Sequence, residues 1–549
     1  MPTHSYFSAT SDKALVYETI GQCFDRIADK HGARDGLIVR HQDIRWSYAE
    51  YRRQVDRLAG GLLALGLTKG DRVGIWAPNC FEWCLTQFAT AKIGAILVCI
   101  NPAYRVYELE FALNKSGCKA LVTAQRYLTS DYTGMVTELL AAGKLPHLDH
   151  VIATGEPPHS DMLSFADVCA SGEIGQDTLA AIAKTLSPDD PINIQFTSGT
   201  TGQPKGATLS HFNILNNGRI VGEGMGFSER DRLCVPVPLY HCFGMVMSNL
   251  ACISHGAAAV FPNDGFDAVK TLEAVAAERC TALHGVPTMF IAELEHPRFH
   301  EFDLSSLRTG IMAGAPCPIE VMKRVQGEMH MKEVLIAYGQ TETSPVNHQT
   351  TKDDPLDKQV ETVGRPGPHL EIKLIDEHGA LVPVGAPGEI CCRGYSVMQS
   401  YWDEPLRTAE TIDAAGWLHS GDLGTMDADG YTRIVGRLKD MIIRGGENVY
   451  PREVEEFLFT HPAVEQVQVF GVPDKKYGEQ VCAWIKLRHG HDLDEDAVRA
   501  FCKDRIAHFK VPRYVRFVAE IPMTVTGKPQ KFKMREAMER ELEQGSAAG

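Results

Sequence analysis

The chain has 549 residues, 44% hydrophobic and 23% charged, a balance that excludes a disordered, collagen-like or fibrous polypeptide and any peptide-sized module. At roughly 100–200 residues per domain it holds about three to five structural units, although large α/β cores can exceed that size. The 70 Asp and Glu outnumber 55 Lys and Arg, and a net charge of −15 repels phosphate backbones and anionic lipid, which argues against nucleic acid as a partner.

The first thirty residues mix Lys13, Arg26 and Lys30 with Asp12, Glu18, Asp25 and Asp29 and contain no apolar h-region, so no secretory signal is predicted. A helix is predicted over 47–65: Ser47 and Glu50 form a capping box, and Tyr51, Val55, Leu58, Leu62 and Leu65 recur at helical spacing before Gly66. A strand at 72–76, a helix at 81–92 and a strand at 95–100 follow, an order that implies a parallel sheet. These apolar runs are far shorter than the ~20 residues a bilayer needs, so the chain is expected to be cytoplasmic with no integral membrane segment.

After residue 190 the alternation resumes, with strands at 192–196, 257–261, 282–285, 308–312 and 334–338 and helices at 267–279 and 318–329. From about Gly364 the runs shorten and are broken by Pro383, Gly385, Pro387 and Gly388, a β-rich, turn-rich texture. The last ~110 residues mix strands with a helix around 494–505 and predict a separate small α+β domain. The fifteen cysteines are odd in number and include no CxxC pair; Cys80 with Cys84, and Cys391 beside Cys392, lack companion ligands at useful spacing. Buried reduced thiols are expected, with neither disulfides nor zinc.

Thr197-Ser198-Gly199-Thr200-Thr201-Gly202-Gln203-Pro204-Lys205-Gly206 follows a predicted strand. Its backbone N–H groups and hydroxyls suit a polyphosphate, with Lys205 adding charge, although composition alone fits an ordinary Gly/Thr surface loop equally well. It is not a Walker A loop, because Lys205 is followed by glycine and another apolar run, which weakens a P-loop kinase or ATPase reading. The absence of G-x-S-x-G likewise weakens an esterase reading.

The order of residues in this loop resembles the signature of the adenylate-forming superfamily, which includes the acyl-CoA synthetases. Tyr338-Gly339-Gln340-Thr341-Glu342 resembles its Y-G-x-T-E motif, Gly416-Trp417-Leu418-His419-Ser420-Gly421-Asp422 its G-W-x-x-[ST]-G-D motif, Gly436-Arg437-Leu438-Lys439-Asp440 its hinge, and Thr526-Gly527-Lys528 its C-terminal motif. The resemblance implies an N-terminal adenylation domain over 1–436, a hinge at 437–440 and a lid over 441–549. It also implies a two-step reaction in which a carboxylic acid and ATP give acyl-AMP, which a thiol then converts to a thioester. The partners so implied are the acid, ATP with Mg²⁺, and coenzyme A; a homo-oligomer is compatible with the sequence.

The family pattern implies a Mg²⁺ ligand at Glu342, a phosphate contact at Thr341, ribose contacts at Asp422 and Arg437, and a lysine on the α-phosphate at Lys528. Gly314, Ala315 and Pro316 match its adenine-binding turn, with Tyr338 available to stack on the purine. Lys439 matches the pivot, and Arg444, Gly445 and Gly446 resemble the segment that lines the pantetheine tunnel after lid rotation. Pro238-Leu239-Tyr240-His241-Cys242-Phe243-Gly244 resembles the segment beside the acyl pocket. His241 tempts as a general base, but with no carboxylate near it in sequence it reads better as a pocket wall or gate. Tyr240, Phe243 and Met245, with Gly310 and Ala313, suit an apolar acyl chain, most like the medium-chain fatty acids; an aryl acid, or loading of a carrier protein, is the alternative. From Lys503 to Arg535, nine basic residues face two acidic ones, which fits either attraction for CoA phosphates or a solvated face.

Overall fold

A computed structural model of the chain describes residues 3–157, 159–172, 176–197, 204–315, 317–445, 447–474, 476–503, 505–524 and 528–547. Two large sheets form its base. In the eight-stranded one, strands 163–164, 150–153, 120–123, 72–76, 96–99 and 191–197 run parallel, and 205–210 and 400–401 close the edge antiparallel. In the nine-stranded one, 333–339, 309–313, 282–285, 232–234, 258–261 and 35–39 are parallel between antiparallel edges.

Helices at Tyr48–Ala64 and Phe81–Ile93 belong to the main core, and in the second every residue from Glu82 to Ile93 is buried. A helix enclosed on all sides has no solvated face, so its few polar side chains need partners: Glu82 accepts from Gln42, Gln87 accepts from Asn249, and Lys92 is ion-paired. Ser47 caps the first helix by accepting the Glu50 N–H, but the other half of the capping box does not form: Glu50 Oε1 accepts from Gln54 Nε2 at 2.7 Å. Lys92 of the second helix is buried and pairs with Asp56 of the first and with Asp25.

The turn-rich region is a five-stranded antiparallel sheet of Leu370–Ile375, Gly388–Gly394, Leu418–Met426 and Thr432–Arg437, completed by Tyr6–Ser8 from the N-terminus. The C-terminal sheet of 447–449, 442–444, 478–487, 464–474 and 514–517 has a cluster around Val469 and Ile485 and another around Trp484 and Met534. It carries the helix at Glu495–Cys502, capped by Asp494. All fifteen cysteines are free and buried. Among the described residues no helix is long and apolar enough to cross a membrane.

Candidate active site

Parallel α/β sheets place ligands beyond the carboxyl ends of their strands, where chain breaks open a crevice. Several predicted site residues lie there. Thr197 ends Pro191–Thr197, Ala313 ends Thr309–Ala313 and leads to Gly314 and Ala315, and Gly339 ends Glu333–Gly339 and leads through Gln340 into the short turn Thr341–Thr343. Gly339 has a steric reason to be glycine, because a Cβ there would sit 1.9 Å from the Pro345 carbonyl oxygen. Thr197 pairs with Lys205 across a hairpin, so a strand follows this loop and not the helix of a Walker A motif. Ser198, Gly199, Thr200, Thr201 and Gly202, like Pro316, Gly446, Thr526 and Gly527, lie outside the described residues.

Asp422 and Arg437 are direct cross-strand partners in the five-stranded sheet, so two motifs fifteen residues apart meet by strand pairing. Arg437 Nε donates to Asp422 Oδ1 at 3.0 Å, and Tyr338 Oη donates to Oδ2 at 2.8 Å. The buried Asp422 carboxylate is thereby held from both sides, and its charge raises the pKa of Arg437. Burial, and then the same carboxylate, push the Tyr338 hydroxyl well above its ordinary value.

Facing this pair, Glu342 Oε1 accepts from Tyr401 Oη at 2.7 Å, and Lys205 Nζ lies 4.7 Å from the Tyr401 ring centroid. Tyr401 escaped the sequence analysis: it reaches the site because its strand pairs with Ala207 and Thr208, and nothing local to Tyr401 encodes that distant partner. Lys528 comes from the C-terminal region into the same cluster. Burial lowers its pKa, Arg437 lowers it further, and Glu342 and Asp422 oppose the shift. Its backbone is pinned by paired bonds with Thr524, of 2.9 Å to the hydroxyl and 2.7 Å between main chains.

His241 caps the short helix Cys242–Gly244, its Nδ1 accepting the Phe243 N–H at 3.2 Å. Burial, with Lys528 nearby, pushes its pKa down to about 3, so the ring is neutral and a poor base. That geometry favours a wall. Phe243 packs its ring 5.3 Å from the His284 ring, and Met245 opens a π-helical turn, Met245–Leu250. Tyr240 is buried, its hydroxyl has no hydrogen-bond partner among the described residues, and it lines a cavity of about 50 Å³ with Tyr127, Pro238, Phe266 and Met289. Pro78, Asn79 and Asp264 are shared with a second cavity of about 370 Å³ whose wall is polar, including His41, Glu82 and Arg126.

Four expected residues sit apart from this cluster. Gly310 lies near the start of its strand, where a Cβ would meet the Leu283 carbonyl oxygen at 1.9 Å and the Met331 methyl at 2.7 Å; its smallness serves sheet packing. Arg444 Nε donates to Gln480 Oε1 at 2.7 Å with its guanidinium over the Tyr477 ring, and the Gly445 N–H bonds the Tyr477 carbonyl, so both belong to the C-terminal sheet. Lys439 is exposed in the turn after Thr432–Arg437, where the Asp440 N–H bonds the Arg437 carbonyl at 3.0 Å.

The family profile described as AMP-binding enzyme matches residues 24–402, and that described as AMP-binding enzyme C-terminal domain matches 453–528. The chain belongs to the AMP-binding enzyme family. The medium-chain acyl-CoA ligase ACSF2, mitochondrial, of Homo sapiens is 44% identical to this AMP-binding enzyme, over 98% of this chain and 90% of that protein. Among solved structures, the anthranilate CoA ligase AuaEII in complex with anthranoyl-AMP superposes with a TM-score of 0.85 at 28% identity, covering 96% of this chain and 98% of that one. ATP-bound MatB from Rhodopseudomonas palustris gives 0.82 at 29% identity, covering 94% and 99%. The adenylate-forming fold, a large α/β region followed by a C-terminal domain, is therefore that of this enzyme, and the enzyme is an AMP-forming ligase.

Proposed function

We propose that the chain is an ATP-dependent acid–CoA ligase acting on medium-chain fatty acids. In the first half-reaction a carboxylate oxygen attacks the α-phosphorus of ATP and pyrophosphate leaves; in the second the CoA thiol attacks the acyl carbon, loses its proton and releases AMP. A carboxylate needs no strong base to attack phosphorus, only alignment and charge neutralisation. The observation that carries this reading is the convergence of Lys528, from the C-terminal region, on the Asp422, Arg437 and Glu342 cluster of the large α/β region.

In this reading Asp422, braced by Tyr338 and Arg437, accepts the ribose hydroxyls, and Gly314 and Ala315 leave room for the purine. Lys528 and Lys205 neutralise phosphate charge. Glu342 fits Mg²⁺: its Oε1 is braced by Tyr401, and a carboxylate keeps hard acceptor capacity on its other oxygen. The metal would supply further charge neutralisation at the phosphates. The C-terminal region acts as a lid over 441–549 pivoting at 437–440, and a cytoplasmic location fits the reading. The acyl chain enters past Tyr240, His241, Phe243, Met245 and Ala313, an apolar wall in which a polar substrate group finds few partners. The 44% identical relative named for medium chains supports that choice.

Specificity constants for C4 to C16 acids test it. Each buried methylene is worth about 0.8 kcal/mol, about fourfold per carbon, so the profile should climb and then break around eight to ten carbons. A flat series with benzoate or anthranilate preferred would overturn the fatty-acid choice and favour the aryl reading, which the likeness to an anthranilate CoA ligase structure keeps in view.

A further inference from the structure

The five-stranded sheet holds a second cluster of chemistry outside the nucleotide residues. Spacing along the chain leaves Cys391 without companion ligands, but strand pairing supplies them: Cys391 lies opposite His419, and Glu389 is two residues before it. One ligand atom from each of Glu389, Cys391 and His419 falls within 4.8 Å of the others, which no other group of His, Cys, Asp or Glu does among the described residues.

His419 Nδ1 is 3.1 Å from Glu389 Oε2 and 3.6 Å from Cys391 Sγ. A tetrahedral zinc bound to thiolate, imidazole and carboxylate has ligand-to-ligand edges of about 3.3–3.6 Å, from metal–ligand bonds of about 2.0–2.3 Å. The spacing therefore fits. A single ring nitrogen offers either one proton or one lone pair, so it can bridge to one of its two neighbours by hydrogen bonding, whereas a cation between the three atoms satisfies all of them.

The surroundings are built for that role. Asp413 Oδ1 accepts the Ala415 and Trp417 N–H groups, each at 2.9 Å, and its Oδ2 lies 3.9 Å from His419 Nε2. That distance is too long for a direct hydrogen bond, but it puts the carboxylate behind the far ring nitrogen, the place of the usual orienting partner of a metal-bound histidine, where it favours a proton on Nε2 and leaves Nδ1 free to ligate. Glu389 Oε1 is held by the Gly421 N–H at 3.0 Å, which leaves Oε2 for the shared point. Charge closes as well. Glu389, Asp413 and a Cys391 thiolate carry three negative charges, Lys373 beside them carries one positive charge, and the other nearby cation, Arg393, is already paired with Glu371. The remaining two negative charges match a divalent cation. Partial exposure of His419 and Asp413 gives an entry path, while Trp417 packs against Cys391 and closes the floor.

We propose that Glu389, Cys391 and His419 form a binding site for a borderline-soft divalent cation of the zinc class, with Asp413 orienting His419 and water completing the coordination. Binding displaces the Cys391 thiol proton to solvent and forms a metal–sulfur bond, with no change of oxidation state.

Cobalt(II) titration of the chelator-treated full-length enzyme, kept reduced with a phosphine, tests this. One equivalent should produce thiolate-to-cobalt charge-transfer absorption and tetrahedral d–d bands, and one equivalent of zinc should erase both. Cys391→Ser should abolish the charge-transfer band, and Asp413→Asn, which removes the orienting carboxylate, should weaken binding about 10- to 100-fold while keeping it. Absence of the band with stoichiometric cobalt, or an undiminished band in Cys391→Ser, would overturn the proposal, the latter because another of the fifteen thiols would be the ligand. If Cys391→Ser fails to fold by circular dichroism, Cys391→Ala and Glu389→Gln supply the same comparison.

Discussion

In the proposed reaction, Lys528 is the side chain on which the chemistry turns. It is half-buried among charges of both signs, Arg437 on one side of the balance and Glu342 and Asp422 on the other, so its ammonium is partly desolvated. Preorganised charge of this kind is worth most in a water-poor site. Lys528→Ala is expected to lower acyl-AMP formation by about 10² or more, roughly 3 kcal/mol, while sparing thioester formation from supplied acyl-AMP. Single-turnover assays of each half-reaction check this; equal loss in both would make the lysine a general structural element. His241 is a poor base, with its pKa held down to about 3 by burial and its Nδ1 spent on the Phe243 N–H.

Among the elements, the turn after Thr432–Arg437 joins the Asp422–Arg437 pair to the C-terminal sheet, and the hairpin of Ile442–Arg444 and Glu447–Val449 belongs to that sheet. In the proposed reading this hairpin reaches the thiol only when the C-terminal region rotates. Lys439→Pro, which fixes φ in the turn, should leave adenylation intact and slow CoA transfer; unchanged transfer in a folded variant would place the pivot elsewhere. The strands and helices that the sequence analysis named in the two large sheets fall within a residue or two of the observed ones, because period and caps are local signals, as where Asp267 caps the helix after it; other strands, among them 35–39, 120–123, 150–153 and 232–234, were not named. The motifs likewise announced Asp422, Arg437 and Glu342. What could not be read was pairing at a distance. Tyr6–Ser8 joins a sheet whose next strand lies more than 360 residues on, Tyr401 braces Glu342 from across the fold, and Cys391 finds His419 on a neighbouring strand. Gly310 illustrates the converse, since a small residue near a motif can serve backbone packing alone.

Taken as a whole, the molecule carries a built-in acid sensitivity. His211, His284 and His348, like His241, are buried and have pKa values pushed down to about 3 by desolvation. Unfolded, each returns to an ordinary value of about 6.5, so between those limits the unfolded chain binds more protons than the folded one. Their contribution is intact above about pH 6.5 and is lost as pH falls toward 3, by up to about 1.4 kcal/mol per histidine per pH unit. Denaturation midpoints measured from pH 7.5 to 5 should fall, and His211→Gln should reduce the slope by about one proton; an unchanged slope would contradict its neutral burial. In the C-terminal region, Lys510, Arg516, Lys531 and Arg535 pair with Glu453, Glu541, Glu455 and Glu479, so four of the basic residues between 503 and 535 already have acidic partners.

The central claim is that this arrangement activates a carboxylic acid as its adenylate before any thiol is engaged. Acid-dependent exchange of labelled pyrophosphate into ATP, with Mg²⁺ and octanoate or decanoate and no CoA, measures that step directly. The account predicts exchange that requires the acid and collapses in Lys528→Ala, with AMP appearing on addition of CoA. Exchange that is absent with every acid tested, or nucleotide turnover that yields ADP and phosphate, would contradict it.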